Sequence, residues 1–316
     1  VLISILIPAY ARPEQLAEAL QSIAQQERAL IGEIVIGDDS PRAYWARNQA
    51  VIAQSGLAEL IDYQPSEPSR GTYPNQWFLA SRAKFGHLLI LHNDDQLCPG
   101  AVSLLADACA NETDDRVKLW FGTQLIMNEA GVVDPVRSAA SDLWYGRQGS
   151  AAARPVWQWC LTESIPSDAF LVEKASYLQH MRGERDGNVG DWGFSVRLAN
   201  GGAWARFVGQ AVSRYRVQAG SVTVAGRGVD AHRAFELACQ LRVPPEHEAL
   251  KSRRFFRNMR VVAVRYARDG ERMNAWRALL WPGMPWQHRF SLRFGAIILM
   301  LLTPRQFWLW ALHYKS

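Results

Sequence analysis

Leu2 to Ile7 is an almost unbroken apolar run that stops at Pro8. Six residues are too few for a buried helix or a membrane span, and a strand buried on both faces is the remaining structure. A strand of that kind needs helices on both sides of its sheet. The next 120 residues supply them. The spacing of Leu16, Leu20 and Ile23 predicts a helix over 13–26, with Pro13 in its first turn. A second buried strand is expected over 33–36, a helix over 42–54, a short strand over 60–63, and a helix over 74–84 capped by Thr72. A strand over 87–91 and a helix over 99–110 complete the rhythm. This β-α-β-α order predicts an α/β fold with a mostly parallel sheet flanked by helices. Ligands gather at the carboxyl edge of such sheets. The segments at Tyr10, Asp38-Asp39 and Asn93-Asp94-Asp95 each follow a strand end and so share one rim.

Residues 126–170 lose the rhythm and read as loops and irregular strands covering a site. Order returns with a helix over 191–199, stopped by Gly201 and Gly202, and with strands over 204–208 and 212–217. A boundary near 226–228 separates a catalytic domain, 1–225, from a basic helical tail, 226–316. The first segment lacks the basic lead and small-residue cleavage site of a signal peptide. Cys98, Cys109, Cys160 and Cys239 form no C-x-x-C pair, which argues against a zinc site and a disulfide framework and for reduced, buried thiols in the cytoplasm.

Two acidic turns carry the candidate chemistry. Asp94 and Asp95 stand side by side after an apolar strand, and adjacent carboxylates repel unless a positive group holds them. A divalent cation on a diphosphate is such a group, because Mg²⁺ takes one or two carboxylates plus phosphate oxygens. A carboxylate capping the next helix is the structural alternative. Asp38 and Asp39 are placed either to accept a hydrogen bond from a base or ribose or to cap the following helix.

Taken together, the segments Ser4 to Tyr10, Glu33 to Ser40, Asn75, His92 to Asp95, Gly190 to Leu198 and Val212 to Ser221 resemble the family 2 glycosyltransferases with the GT-A fold, in order and spacing. The resemblance implies that Pro8, Ala9 and Tyr10 line the base pocket and that Asp38 or Asp39 contacts base or ribose. Arg70, Asn75 and Asn93 would lie beside the nucleotide. Asp94 would hold Mg²⁺ or Mn²⁺ on the diphosphate, with His92 and Asp95 as further ligand candidates. Asp191 would be the catalytic base of a single inverting displacement. Three positions depart from the pattern. His92 replaces the first Asp of the D-x-D, Gly190 the Glu beside the base, and Gln218 a His of the late loop. These changes keep a second expectation open, a nucleotide-sugar-binding regulatory or scaffold domain without turnover. Trp144, Trp157, Trp159 and Trp192 are candidates for stacking on sugars or for the core, and Trp192 leads because it adjoins Asp191. Arg182, Arg185 and Asp186 are candidates for an acceptor loop or for plain surface.

The tail differs in charge from the body. Between Lys251 and Arg293 eleven basic residues face only Asp269 and Glu271, while the whole chain is +5. Phe255, Met259, Val262 and Tyr266 fall on one helical face and Arg254, Arg257, Arg265, Arg268 and Arg272 on another. The apolar stretch 295–310 is broken by Pro304 and Arg305, so it is too interrupted to span a bilayer. It suits shallow insertion through Ile297, Leu299, Phe307 and Trp308, or packing on another subunit of a homo-oligomer. The expected protein is a peripheral enzyme at the inner face of the cell membrane. Its acceptor would be a glycan or lipid-linked glycan in surface polysaccharide assembly. No nucleic-acid-reading module is present, so nucleic acid is not an expected partner.

Overall fold

A computed structural model describes residues 1–182, 186–218, 231–281 and 291–304. The chain divides into two compact units, Val1–Ser221 and Val222–Ser316. The predicted boundary near 226–228 lies outside the described residues.

In the first unit, strands β1 (Ile3–Ala9), β2 (Ile31–Asp38), β3 (Ile61–Pro65) and β4 (His87–Ile90) pair in parallel in the order β3-β2-β1-β4. Helices α1 (Pro13–Ala24), α2 (Trp45–Gln54), α3 (Thr72–Arg82) and α4 (Ala101–Ala110) link these strands or follow them. Ile3, Ile5, Leu6 and Ile7 are all at 0% exposure. Burying each such side chain is worth roughly 1.5–3 kcal/mol, so β1 is stable only with both faces covered. Ile5 and Ile7 join Leu16, Leu20 and Ile23 of α1 and Val102 and Leu105 of α4 in one cluster.

β1 runs through Pro8 to Ala9 and does not stop at the proline. The Leu6 carbonyl accepts from Leu91 N on the β4 side. Pro8, two residues on, faces the same way, past the end of β4 at Ile90, where no partner needs its missing N–H. Thr72 is not the cap of α3. Gly71 holds the N-cap position at φ +88°, and Thr72 is the first helical residue.

The rest of the sheet is mixed. β8 (Leu171–Glu173) pairs antiparallel with β4 and with β6 (Val117–Met127). β9 (Trp204–Arg216) runs parallel to β6 and antiparallel to β5 (Gln96–Leu97) and β7 (Ala152–Pro155). The two strands expected over 204–217 are therefore one. Gly209, at φ +73°, turns the backbone between them without ending the ladder. The expected irregular stretch 126–170 contains α5 (Pro135–Trp144), whose Asp134 caps the helix by accepting from Arg137 N at 2.9 Å, and the short α6 (Val156–Cys160). The chain then passes through β8 into α7 (Lys174–His180) and α8 (Gly190–Asn200).

Described helices of the second unit are Ala231–Gln240, Glu248–Asp269, Arg272–Leu279 and Leu292–Leu302. Phe255, Met259, Val262 and Tyr266 are buried, so the predicted apolar face is the inside of this unit. No described helix is long and apolar enough to cross a membrane. Of the cysteines, Cys98 and Cys160 are buried as expected, whereas Cys239 is exposed, because it sits on the outer side of the Ala231–Gln240 helix.

Candidate active site

β1, β2 and β4 end at one edge of the sheet, because their registers match Leu6 to Val35 and to Ile90, and Ala9 to Asp38. The loops after these strands carry most of the residues singled out by sequence.

Of the base-pocket candidates, Ala9 is buried, Pro8 is partly so, and Tyr10 is 56% exposed at the strand end. Asp38 and Asp39 have different neighbours. Asp38 is fully buried and accepts from Ser40 N at 2.9 Å, Asn48 Nδ2 at 2.7 Å and the Tyr63 hydroxyl. Those bonds reach both oxygens, so Asp38 braces its own loop. Asp39 accepts from Gly71 N at 2.9 Å and Ser69 Oγ at 3.1 Å, and Arg70 Nη1 lies 3.3 Å away. Burial raises the Asp39 carboxyl above its ordinary range, and these donors partly offset the rise. The Arg70 guanidinium also lies 4.0 Å from the centre of the Phe78 ring. Asn75 is buried and donates to the Gly37 carbonyl at 2.8 Å, locking α3 to β2. Its buried Oδ1 accepts no hydrogen bond.

The acidic turn is the centre of the site. His92, Asp94 and Asp95 each offer one ligand atom, and these atoms lie within 4.8 Å of one another. Asn93 beside them is buried. Asp95 Oδ1 accepts from Arg216 N at 2.7 Å, whereas the buried Oδ2 accepts no hydrogen bond. His92 Nδ1 lies 4.0 Å from that oxygen. Burial, with the charges of Asp168 and Asp94, pushes the Asp95 carboxyl well above the usual carboxylate range. An orphaned buried carboxylate oxygen facing an imidazole, next to a second carboxylate, fits a divalent cation. Phosphate oxygens and water would fill its other positions.

The turn is rigidly held. Arg216 donates to the Asp94 carbonyl at 2.9 Å and to the Glu129 carbonyl at 2.6 Å, and it pairs with Glu18. Asp168, entering β8, accepts from His92 N at 3.3 Å and from Gln124 Nε2 at 2.9 Å. Gln124 in turn accepts from buried Arg147, whose pKa burial lowers to about 10. Arg12 and Gln218 were not expected as partners of Asp94. Arg12 forms an ion pair with Asp94 Oδ2, and Gln218 Nε2 donates to the same oxygen at 3.1 Å. Gln218 thus keeps a polar contact to the acidic turn at the position where the family pattern has His. Arg12 lies two residues after Tyr10 in the loop after β1, so one loop carries both a base-pocket candidate and the partner of Asp94.

Asp191 lies in the first turn of α8 and is half-buried. It accepts from Trp192 N at 2.8 Å and from the Tyr73 hydroxyl. Burial raises its pKa above the ordinary 3.8, against the lowering effect of Trp192 N–H, Tyr73 and the nearby His92. Trp192 is partly buried beside it. Trp159 belongs to the core: its indole N–H donates to the Ala205 carbonyl at 3.1 Å and its ring packs edge-on to Phe121. Trp144 is 63% exposed on α5 and Trp157 is intermediate. Arg182 is exposed, whereas Asp186 is fully buried and paired with Arg197, so it braces α8 instead of lining a loop. Arg185 lies outside the described residues.

This mostly parallel sheet, flanked by helices and bearing its acidic turn at the carboxyl edge, is a GT-A-like fold. No protein-family model matches the sequence, and no curated protein matches it. Among solved structures, the chain is similar in fold to TarS of S. aureus. The TarS 1-349 fragment matches at a TM-score of 0.53 and 13% identity, over 88% of this chain and 90% of that one. The same fragment in complex with UDP-GlcNAc gives 0.55 at 14% identity, over 90% and 93%. A further crystal structure of TarS gives 0.54 at 14%, with 88% of this chain covering 55% of that one.

Proposed function

We propose that the chain is an inverting transferase of the family 2 type, moving a sugar from a nucleotide-sugar to a hydroxyl of a glycan or lipid-linked glycan. The observation that carries this reading is Asp191: a half-buried carboxylate with a raised pKa, near the His92-Asp94-Asp95 turn. Asp39 and Arg70 would face the base and ribose at the rim that Pro8, Ala9 and Tyr10 begin. Asp94, with His92 and Asp95, would hold Mg²⁺ or Mn²⁺. When bound, that cation would take up negative charge on the departing diphosphate. Asp191 would accept the proton of the acceptor hydroxyl while that oxygen bonds to the anomeric carbon and the bond to the diphosphate breaks. Trp192 would sit against the acceptor sugar.

TarS has been crystallised with UDP and with UDP-GlcNAc, so a UDP-sugar is the donor to try first. The protein is incubated with UDP-sugars and Mn²⁺, and UDP release is measured with and without glycan acceptors. Release that rises with an acceptor is the expected result. Binding without release under any acceptor would instead favour a regulatory or scaffold domain.

The pH dependence has a definite sign. A base works only when deprotonated, and the Asp191 pKa is raised above 3.8. Transfer should therefore be lost as pH falls through that raised value. The acid limb of kcat against pH should have its midpoint above the ordinary Asp range. A limb at or below 3.8 would mean that another group is the base.

The second unit is proposed to face an anionic lipid surface at the inner side of the cell membrane. In the Leu292–Leu302 helix, Phe294, Ile297 and Leu301 are buried, while Leu292, Leu299 and Leu302 are 94%, 63% and 70% exposed. Those three fall at helical spacing on the opposite side, in a chain segment dense in Arg. An apolar stripe with basic flanks complements anionic lipid, each basic residue being worth roughly 1 kcal/mol at the surface. Ile297 is part of the inner face and not of the inserting one. Phe307 and Trp308 lie outside the described residues. The intact protein should sediment with phosphatidylserine vesicles, and Leu292→Glu with Leu299→Glu should abolish this while leaving donor turnover unchanged. Failure of the wild type to sediment would overturn the proposal. A fall in oligomer mass on the same substitutions would reassign the stripe to a homo-oligomer contact.

A further inference from the structure

The family pattern places a glutamate beside the base, and this chain has Gly190 there. The structure shows what occupies the space. Tyr73, in the first turn of α3, lies with its ring against Gly190. A Cβ at position 190 would stand 2.4 Å from Cδ2 and 2.5 Å from Cγ of that ring. Contacts so short mean that only glycine fits at 190 unless the ring moves. The ring has little freedom to move, since Tyr73 is 8% exposed. A buried phenol hydroxyl needs a hydrogen-bond partner, and here the partner is Asp191.

Three groups from three elements lie near enough to Asp191 to act on its charge. They are Tyr73 from α3, His92 from the turn after β4, and Tyr177 from α7. Tyr177 gives its hydroxyl to Gln76 at 2.9 Å, and Gln76 lies 3.1 Å from His92 Nε2. The donors to the carboxylate are the Trp192 N–H, the Tyr73 hydroxyl and the N–H of Asp191 itself. Trp192 N–H belongs to the next residue and moves with it, whereas Tyr73 is anchored in a different helix.

We propose that Tyr73 is the positioning residue for Asp191, and that glycine at 190 is required to admit its ring. The inference rests on reading Asp191 as the base. Tyr73 ties α3, which also carries buried Asn75, to the start of α8. The carboxylate's orientation toward the acceptor is thereby set by the sheet's own helix and not by a neighbouring glutamate.

Three variants of the full chain test this, with steady-state donor turnover and melting temperature measured for each. Tyr73→Phe keeps the ring and removes only the hydroxyl. It should melt near wild type, lower kcat by roughly tenfold as expected for a lost hydrogen bond to a charged group, and leave the donor KM unchanged. Its acid limb should move to higher pH, because a bond favouring the carboxylate is gone. Gly190→Glu alone should lose activity or fold poorly. Combined with Tyr73→Ala, which vacates the space, the glutamate should be tolerated and the double variant should be more active and more stable than Gly190→Glu. An active wild type whose Tyr73→Phe variant has unchanged kcat and an unchanged acid limb would overturn this inference while leaving the transferase reading intact. A double variant no better than Gly190→Glu would overturn the steric pairing. A wild type that turns over no donor would overturn the base reading and this inference with it.

Discussion

Asp191→Asn should bind donor nearly as well as wild type and transfer sugar at least roughly 10²-fold more slowly, the scale of a lost general base. That corresponds to about 2.7 kcal/mol in the transition state, at 1.36 kcal/mol per tenfold. The amide keeps the size of the carboxylate, and its oxygen still accepts from Trp192 N–H and the Tyr73 hydroxyl. The start of α8 should therefore stay in place, and the melting temperature should change little. Replacing a half-buried acid whose pKa is raised with a neutral amide also removes the cost of ionising it at neutral pH. Stability should if anything rise as activity falls, and that pairing separates a lost proton acceptor from a damaged fold. The check is single-turnover transfer, with calorimetry of the nucleotide-sugar on the same samples. Transfer at near wild-type rate would remove Asp191 from the chemistry.

Asp94→Ala should lower metal-dependent donor binding by roughly 10- to 100-fold or more, by comparison with the cost of altering groups around a metal. Asp94 is more exposed than Asp95, with 16% of its side chain accessible, and it carries the ion pair to Arg12. Its removal frees Arg12 and Gln218 but leaves Asp95, whose Oδ1 stays bound to Arg216 N. The turn itself should hold, because Arg216 grips the backbone carbonyl of residue 94 and not its side chain. Arg12, released, would still offer a positive charge to a diphosphate, so the metal-independent part of the affinity should persist. Calorimetry of UDP binding with and without Mn²⁺ reads the two parts separately. Equal affinities in wild type and variant with Mn²⁺ present would take Asp94 out of the site.

The parallel half of the sheet was legible because its strands are short apolar runs followed by helices of clear period, as in Leu2 to Ile7 and Leu16, Leu20 and Ile23. The mixed half was not. β6 has Lys118, Gly122, Thr123 and Gln124 among its apolar residues, and β8 is three residues long. α5 carried a readable signal, the Asp134-Pro135 start, inside a stretch whose Gly and Ser content argued for loops. β9 was split because Gly209 looks like a break, whereas a bulge keeps the ladder together. Within the site, strand ends and the acidic turn could be read locally. What positions them could not. Arg12 meets Asp94 from 82 residues away, and Tyr73 reaches Asp191 from another helix. The different surroundings of Asp38 and Asp39 were not legible in the sequence, because the partners Asn48, Tyr63, Ser69 and Gly71 come from later segments of the chain.

The central claim is that the acidic turn and its rim form a nucleotide-sugar site. The most direct test is the melting temperature of the intact protein against UDP-, GDP-, dTDP- and CMP-sugars, each with and without Mn²⁺. A ligand at 100 times its Kd stabilises the folded state by about 2.7 kcal/mol, enough for a shift of several degrees. The account predicts that at least one donor, UDP-sugars first, raises the melting temperature, that Mn²⁺ enlarges the shift, and that Asp94→Ala removes the enlargement. No shift with any of the four donors, at millimolar concentration and with Mn²⁺ present, would contradict it.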